Sequence, residues 1–338
     1  MVGNVLPGNP NDYELHVLGM GHFHPENVID NAFLTKLDIG TNDDWIVERT
    51  GILRRRTVLK LDYIVTSHNS DPRLAAAASG YTNAQTGANA AKMALNRAGL
   101  QPSDIGLVVA GGCSPQHTIP AEACVIAAEL GIEAPGYDIV SACSSFAAQL
   151  NVLRNTKPET LPDYILIVNA ENTTRTVDYN DRSTAVLWGD GTTATIVSPR
   201  KKGPLGVKWT TLVSDPLGWD KVAIPTGGFF QQNGSAVQAF GIRKSGEMLK
   251  ALRQHVHAES HFYVGHQANL LMLQSICDRA GIPDRRHLYN VNEFGNCGAA
   301  GAPSVVSQRW DDFSKGDEIA LVVVGSGLTW GGVVLNVL

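Results

Sequence analysis

Short apolar runs bounded by glycine or polar turns recur along this chain, with alanine-rich, helix-forming stretches between them. Runs this short and continuous suit strands buried on both faces, so the pattern predicts an α/β protein with a largely buried sheet. In the first half the predicted strands are Gly106 to Gly112 (GLVVAGG), Tyr137 to Ser141 (YDIVS) and Tyr164 to Asn169 (YILIVN). In the second half they are Phe262 to Gly265 (FYVG), Leu288 to Asn292 (LYNVN) and Ile319 to Gly325 (IALVVVG). An amphipathic helix is predicted before the first strand of each set, over Ala84 to Ala98 and Lys244 to His257. The two sets superpose at a shift of roughly 150 residues, which points to an internal duplication. Two similar halves are therefore expected, residues 1–200 and 201–338.

With 338 residues, 43% of them hydrophobic, the chain can bury a sizeable core, and its formal charge of −5 carries no global bias toward nucleic acid. No apolar stretch approaches the roughly 18 residues of a spanning helix, and the opening MVGNVLPGNPND has neither the basic nor the apolar region of a leader. A cytoplasmic protein that contacts neither membrane nor nucleic acid is the expectation. Cys113, Cys124, Cys143, Cys277 and Cys297 make an odd set with no CxxC pair, so free thiols are expected rather than a disulfide framework. The cluster His255, His257 and His261, with Glu259, lacks a nearby thiolate, and no metal site is expected there. The stretch from Thr57 to Thr82 has no clear periodicity and reads as a long loop with some helix, either functional or a surface excursion.

Cys143 follows the strand YDIVS and precedes SSFAAQLNVL, which reads as a buried helix. A thiol at such a turn faces unpaired helix N–H groups and the positive end of the dipole, which favour thiolate and can receive the oxyanion of a thioester under attack. An isolated cysteine more often simply packs. Here, however, VGHQAN (264–269) and NEFGNCGAAGAP (292–303) put His266 and Asn296 in corresponding strand-to-helix settings. In α/β sheets the crevice beyond the carboxyl ends of the strands binds ligands, and all three side chains are expected to project there.

ACSSF around Cys143, GHQAN around His266, GNCGAAGAP around Asn296, GDGTTATIV (189–197), GSGLTWGG (325–332) and DDWIVERTGILRRR (43–56) resemble beta-ketoacyl-acyl carrier protein synthase III in order and approximate spacing. The resemblance runs over nearly the whole chain. It implies the thiolase fold, five αβαβα layers from two duplicated halves, in a homodimer. It also implies decarboxylative Claisen condensation of an acyl thioester on Cys143 with a malonyl-type thioester, with coenzyme A or acyl carrier protein as thioester carrier and no metal or redox cofactor. The N–H groups of Cys143 and Ser326 would form the oxyanion hole, and His266 and Asn296 would hold the enolate. Trp45 and Arg182 match residues that sandwich the adenine of coenzyme A, Arg49 a nearby phosphate-side arginine and Asn269 a pantetheine-side residue. Ile119, before Pro120, stands at the gate of the neighbouring subunit's acyl pocket, where phenylalanine is usual.

Three departures point to a specialised relative. Leu271 stands where the family has an arginine for docking carrier protein, and Asp278 and Arg279 stand where it has lysines. Ser144 and Ser145 replace an Ala-Gly pair, and Thr57 to Thr82 exceeds the family loop by about ten residues. The competing readings are acyl transfer from Cys143 to a hydroxyl or amine without decarboxylation, and a non-catalytic partner of an active paralogue. Relatives of either kind tend to lose part of the trio, which is intact here.

Overall fold

A computed structural model describes residues 14–257 and 261–338; the opening segment read above for a leader lies outside them, and so does Glu259. The strands, in chain order, are β1 (Leu15–Phe23), β2 (Asn27–Asp30), β3 (Arg54–Thr57), β4 (Leu107–Gly111), β5 (Gly136–Asp138), β6 (Ile165–Glu171), β7 (Gly191–Ser198), β8 (Leu205–Ser214), β9 (Val222–Ala223), β10 (Gln231–Gln232), β11 (His261–Gly265), β12 (Glu318–Gly325) and β13 (Thr329–Val337). Nine of them form one sheet in the order β11-β12-β13-β8-β1-β7-β6-β4-β5.

That order is a repeat. β1 runs antiparallel to β7 and β7 to β6, while β6 is parallel to β4 and β4 to β5. In the same way β8 runs antiparallel to β13 and β13 to β12, while β12 is parallel to β11. The two sets join where Leu15 of β1 lies opposite Val207 of β8. The fifth place of the second set is only a parallel bridge between Tyr263 and His287. The strand predicted over Leu288 to Asn292 is therefore a correction: the chain turns into the short helix Val291–Phe294. Gln267 explains this, because its side-chain oxygen takes the backbone N–H groups of Asn290 (3.0 Å) and Val291 (3.2 Å) that a strand would give to a neighbour.

Side chains alternate between cores, as period two requires. Ile319, Leu321 and Val323 of β12 face a central core shared with Leu107 and Val109 of β4 and with the helices Ser145–Arg154 and Gly301–Gln308. Ala320, Val322 and Val324 face a second core closed by the helices Gly234–Leu252 and Leu270–Ala280. Val108 and Ala110 face a third, closed by Asn83–Ala98 and Glu122–Leu130. Helices, one set of strands, helices, the other set of strands and helices give the five αβαβα layers of the thiolase fold. A Cβ at Gly21 would stand 2.0 Å from the Ala90 carbonyl, so glycine there lets the alanine-rich helix lie directly on β1.

The first predicted helix is present, opened by a capping box of Thr82 and Gln85. The second starts well before Lys244, at Gly234, where the Asn233 side chain caps it, and ends at Leu252. The predicted strand Tyr137 to Ser141 stops at Asp138, whose carboxylate caps the helix Glu122–Leu130 through the N–H groups of Glu122 and Ala123. The segment from Thr57 to Thr82 is not a surface excursion. It carries the helix Leu61–Ser67, and Leu59, Ile64 and Ala75 are buried in the cluster that contains Cys143. Its Asn69, fully buried, donates to the carbonyls of Arg175 (3.0 Å) and Val177 (2.8 Å) and pins the loop down.

Candidate active site

After β5 the chain passes a sharp turn at Ala142, whose φ of 45° is left-handed, and Cys143 follows just before the helix Ser145–Arg154. Such a backbone costs an alanine on the order of 1–3 kcal/mol. The two serines that depart from the family pattern offset it. Ser145 Oγ accepts from the Ser141 N–H (2.9 Å) and donates to the Ala142 carbonyl (2.6 Å), and Ser144 Oγ donates to the Ser141 carbonyl (2.6 Å).

Cys143, His266, Asn296 and Ser326 line one cavity of about 640 Å³. The loops after β11 and after the helix Val291–Phe294 thus bring the imidazole and the carboxamide to the thiol. All three side chains are buried. The Cys143 thiol is held well below its ordinary pKa, first by a hydrogen bond from Cys113 and then by His266, against the opposing effect of burial. The Asn296 side-chain oxygen accepts from the Gly298 N–H (3.0 Å), so its amide N–H groups are the end offered to the cavity. His266 Nδ1 is buried without a partner among the described residues. A Cβ at Gly325 would lie 3.0 Å from the Ser144 nitrogen and 3.2 Å from that of Cys143, so glycine there leaves the Cys143 N–H open to an oxyanion.

At the cavity mouth the guanidinium carbons of Arg49 and Arg182 lie 4.6 Å and 4.8 Å from the centre of the Trp45 ring. Trp45 and Arg49 line the cavity; Arg182 stands outside its wall and reaches the Gly40 carbonyl. Asn269 also lines it, but its side-chain oxygen caps the helix Leu270–Ala280 at Met272 (3.0 Å) and its amide donates to the Arg49 carbonyl (2.9 Å). That leaves Asn269 one N–H for a ligand. Leu271 sits on the wall, 37% exposed. Ile119 is not brought to the site: it is 83% exposed and outside this cavity. Among the described residues no cluster of His, Cys, Asp or Glu could hold a metal ion. His255 stacks on Trp209, and His257 pairs with Glu318.

Two residues at the site were not singled out from sequence. Cys113 Sγ lies 3.4 Å from Cys143 Sγ, and the carboxylate of Glu171, fully buried, accepts the N–H groups of Cys113 (2.9 Å) and Ala299 (2.8 Å). Burial, and then the neighbouring Cys143, raise the Glu171 carboxyl to about 7. The signal was present, since both follow apolar strands at the same carboxyl edge as Cys143.

Joining two thioesters through carbon needs a thiolate to hold one acyl group and hydrogen-bond donors opposite to carry the charge of the other. This fold brings a thiol, an imidazole and a carboxamide to one cavity, and it puts the molecule among the thiolase-fold condensing enzymes. The profile of 3-oxoacyl-[acyl-carrier-protein] synthase III matches residues 137–216, and that of its C-terminal part matches 254–337. A beta-ketoacyl-[acyl-carrier-protein] synthase III of Syntrophomonas wolfei is 30% identical over 96% of this chain and 97% of its own. The crystal structure of 3-oxoacyl-[acyl-carrier-protein] synthase III from Aquifex aeolicus superposes with a TM-score of 0.84 at 28% identity, over 95% of this chain and 99% of that one. The Pseudomonas aeruginosa enzyme gives 0.82 at 27% identity, over 96% and 98%. The chain belongs to the beta-ketoacyl-[acyl-carrier-protein] synthase III family. It is an acyltransferase of decarboxylative Claisen condensation.

Proposed function

We propose that Cys143 carries the acyl group and that His266 and Asn296 activate the extender. The Cys143 thiolate attacks an acyl thioester, the N–H groups of Cys143 and Ser326 hold the tetrahedral oxyanion, and the carrier leaves as its thiolate. A malonyl-type thioester then breaks its bond to the carboxylate and releases CO2. The electron pair left behind is delocalised onto the thioester oxygen, where His266 and Asn296 donate hydrogen bonds to charge that exists only as it develops. The carbanion carbon attacks acyl-Cys143, forms the new carbon–carbon bond and returns the thiolate. Decarboxylation itself supplies the nucleophile, so this scheme calls on no metal or redox cofactor. The single observation that carries the reading is the common cavity of Cys143, His266 and Asn296.

Coenzyme A or acyl carrier protein thioesters are the proposed substrates. The paired arginines on Trp45 support the nucleotide-bearing form, and Leu271 in place of an arginine weakens the usual docking of an acidic carrier. A homodimer in the cytoplasm is proposed, in which the exposed Ile119 reaches the partner's acyl pocket; the repeated strand order supports two halves at 1–200 and 201–338. Intact-protein mass spectra after exposure to a panel of acyl thioesters test the scheme. A stable adduct should form, vanish in Cys143→Ala, and be discharged by malonyl thioester. Acylation of Cys143→Ala, or discharge of the adduct without malonyl thioester, would overturn it.

A further inference from the structure

Two thiols in contact cannot both ionise, because like charges at that separation repel strongly. Cys113 Sγ and Cys143 Sγ stand 3.4 Å apart, so the surroundings decide which of them holds the proton. Cys143 precedes the helix Ser145–Arg154 and shares its cavity with His266, both of which favour a negative sulfur. Cys113 has the opposite environment. Both oxygens of Glu171 accept its backbone N–H, at 2.9 Å and 3.0 Å, which fixes that carboxyl group beside it. From the loop after Asn296, Gly298 packs on the Cys113 sulfur, while the Cys297 thiol turns away to donate to the Phe294 carbonyl (3.4 Å). His266, Glu171 and the three thiols are thus the titratable groups around the pair.

We propose that Cys113 is a positioning residue, a protonated thiol that donates its S–H to the Cys143 thiolate and so sets the pH range over which Cys143 is nucleophilic. No covalent bond changes. The proton stays on Cys113 because burial and the adjacent Cys143 thiolate disfavour a second negative charge, to which Glu171 adds where it is ionised. The raised pKa of Cys113, caused first by its hydrogen bond to Cys143 and then by burial, agrees with this direction. The proposal rests on Cys143 as the nucleophile.

The consequence is a crossing of pH profiles rather than a uniform loss. Losing the donor moves the Cys143 midpoint upward by about one pH unit, which below the midpoint leaves roughly tenfold less thiolate. A more basic thiolate is also the stronger nucleophile, with a Brønsted slope near 0.4–0.5, or roughly threefold per unit. Cys113→Ala should therefore react roughly threefold more slowly than the natural protein at low pH and roughly threefold faster at high pH. A merely structural cysteine would lower the rate at all pH values without moving the midpoint.

The experiment follows alkylation of the full chain by iodoacetamide between pH 5 and 10, with Cys143 and Cys113 read separately by peptide mass. Cys113→Ser keeps a donor, and its profile should lie near that of the natural protein. An unmoved midpoint in Cys113→Ala overturns the proposal, as does a Cys113→Ser profile that coincides with that of Cys113→Ala. Acyl uptake by a Cys143→Ala control would instead remove the nucleophile assignment, and this proposal with it.

Discussion

Ser144 Oγ and Thr329 Oγ1 lie 2.6 Å apart, tying the nucleophile turn to the last hairpin of the chain. With the Ser144 proton given to the Ser141 carbonyl, Thr329 Oγ1 shares its single proton between Ser144 Oγ and the Ser326 carbonyl (3.1 Å), so one hydroxyl fixes the turn that bears Cys143 relative to the turn that bears Ser326. The two proposed oxyanion donors come from residues far apart in sequence, and their spacing depends on this link. Thr329→Val keeps the shape and removes the hydroxyl. The loss should cost about 1 kcal/mol of stability and slow acylation of Cys143 by roughly tenfold to a hundredfold. Rapid-quench acylation rates alongside urea unfolding check it; an unchanged acylation rate would detach the hairpin from catalysis.

Gly325 leaves the approach to the Cys143 N–H open. Its φ is not left-handed, so Gly325→Ala adds a methyl group without backbone strain. That methyl group would press on the nitrogens of Cys143 and Ser144. Acylation should fall by about 10²–10³, the scale of losing one oxyanion donor, while affinity for the acyl thioester stays within a few fold. Equal losses in binding and in rate would mean a displaced loop instead.

Trp45 stacks with Arg49 and Arg182 at the rim of the cavity. If this rim grips the nucleotide of coenzyme A, Trp45→Ala should raise KM for an acyl-coenzyme A by roughly tenfold, the scale of one aromatic stacking contact. KM for the matching N-acetylcysteamine thioester, which has no nucleotide, should not change. Parallel rises for both substrates would place Trp45 in the frame of the cavity rather than in recognition.

Glu171 gives a pH signature in stability. Burial raises its carboxyl from 4.5 to about 7, so between those values the folded protein holds a proton that the unfolded chain releases. Its contribution is fully present below pH 4.5 and is lost as pH rises through 7, a change of about 3 kcal/mol. Glu171→Gln keeps an oxygen for the Cys113 and Ala299 N–H groups and cannot ionise. Urea unfolding at pH 5 and pH 8 should show the variant gaining on the natural protein at the higher pH. An equal difference at both would mean that Glu171 does not titrate in this window.

Sequence alone pointed to the layered α/β architecture, because short, β-branched apolar runs bounded by turns, such as IALVVVG, suit strands covered on both faces. It also pointed to the proposed trio, since Cys143, His266 and Asn296 each follow a strand or its relic and precede a helix. Local pattern misled where side chains replaced strand partners, as Gln267 does at Asn290 and Val291. What only the tertiary structure decided is the contact between distant loops: Cys113 against Cys143, Glu171 beneath Cys113, Thr329 against Ser144, and the segment from Thr57 to Thr82 packed into the cluster around Cys143. Hydrogen bonds and thiol contacts act over a few ångströms, while the residues that make them are separated by long stretches of chain. Periodicity reports which face a residue occupies and is silent about which neighbour it meets there.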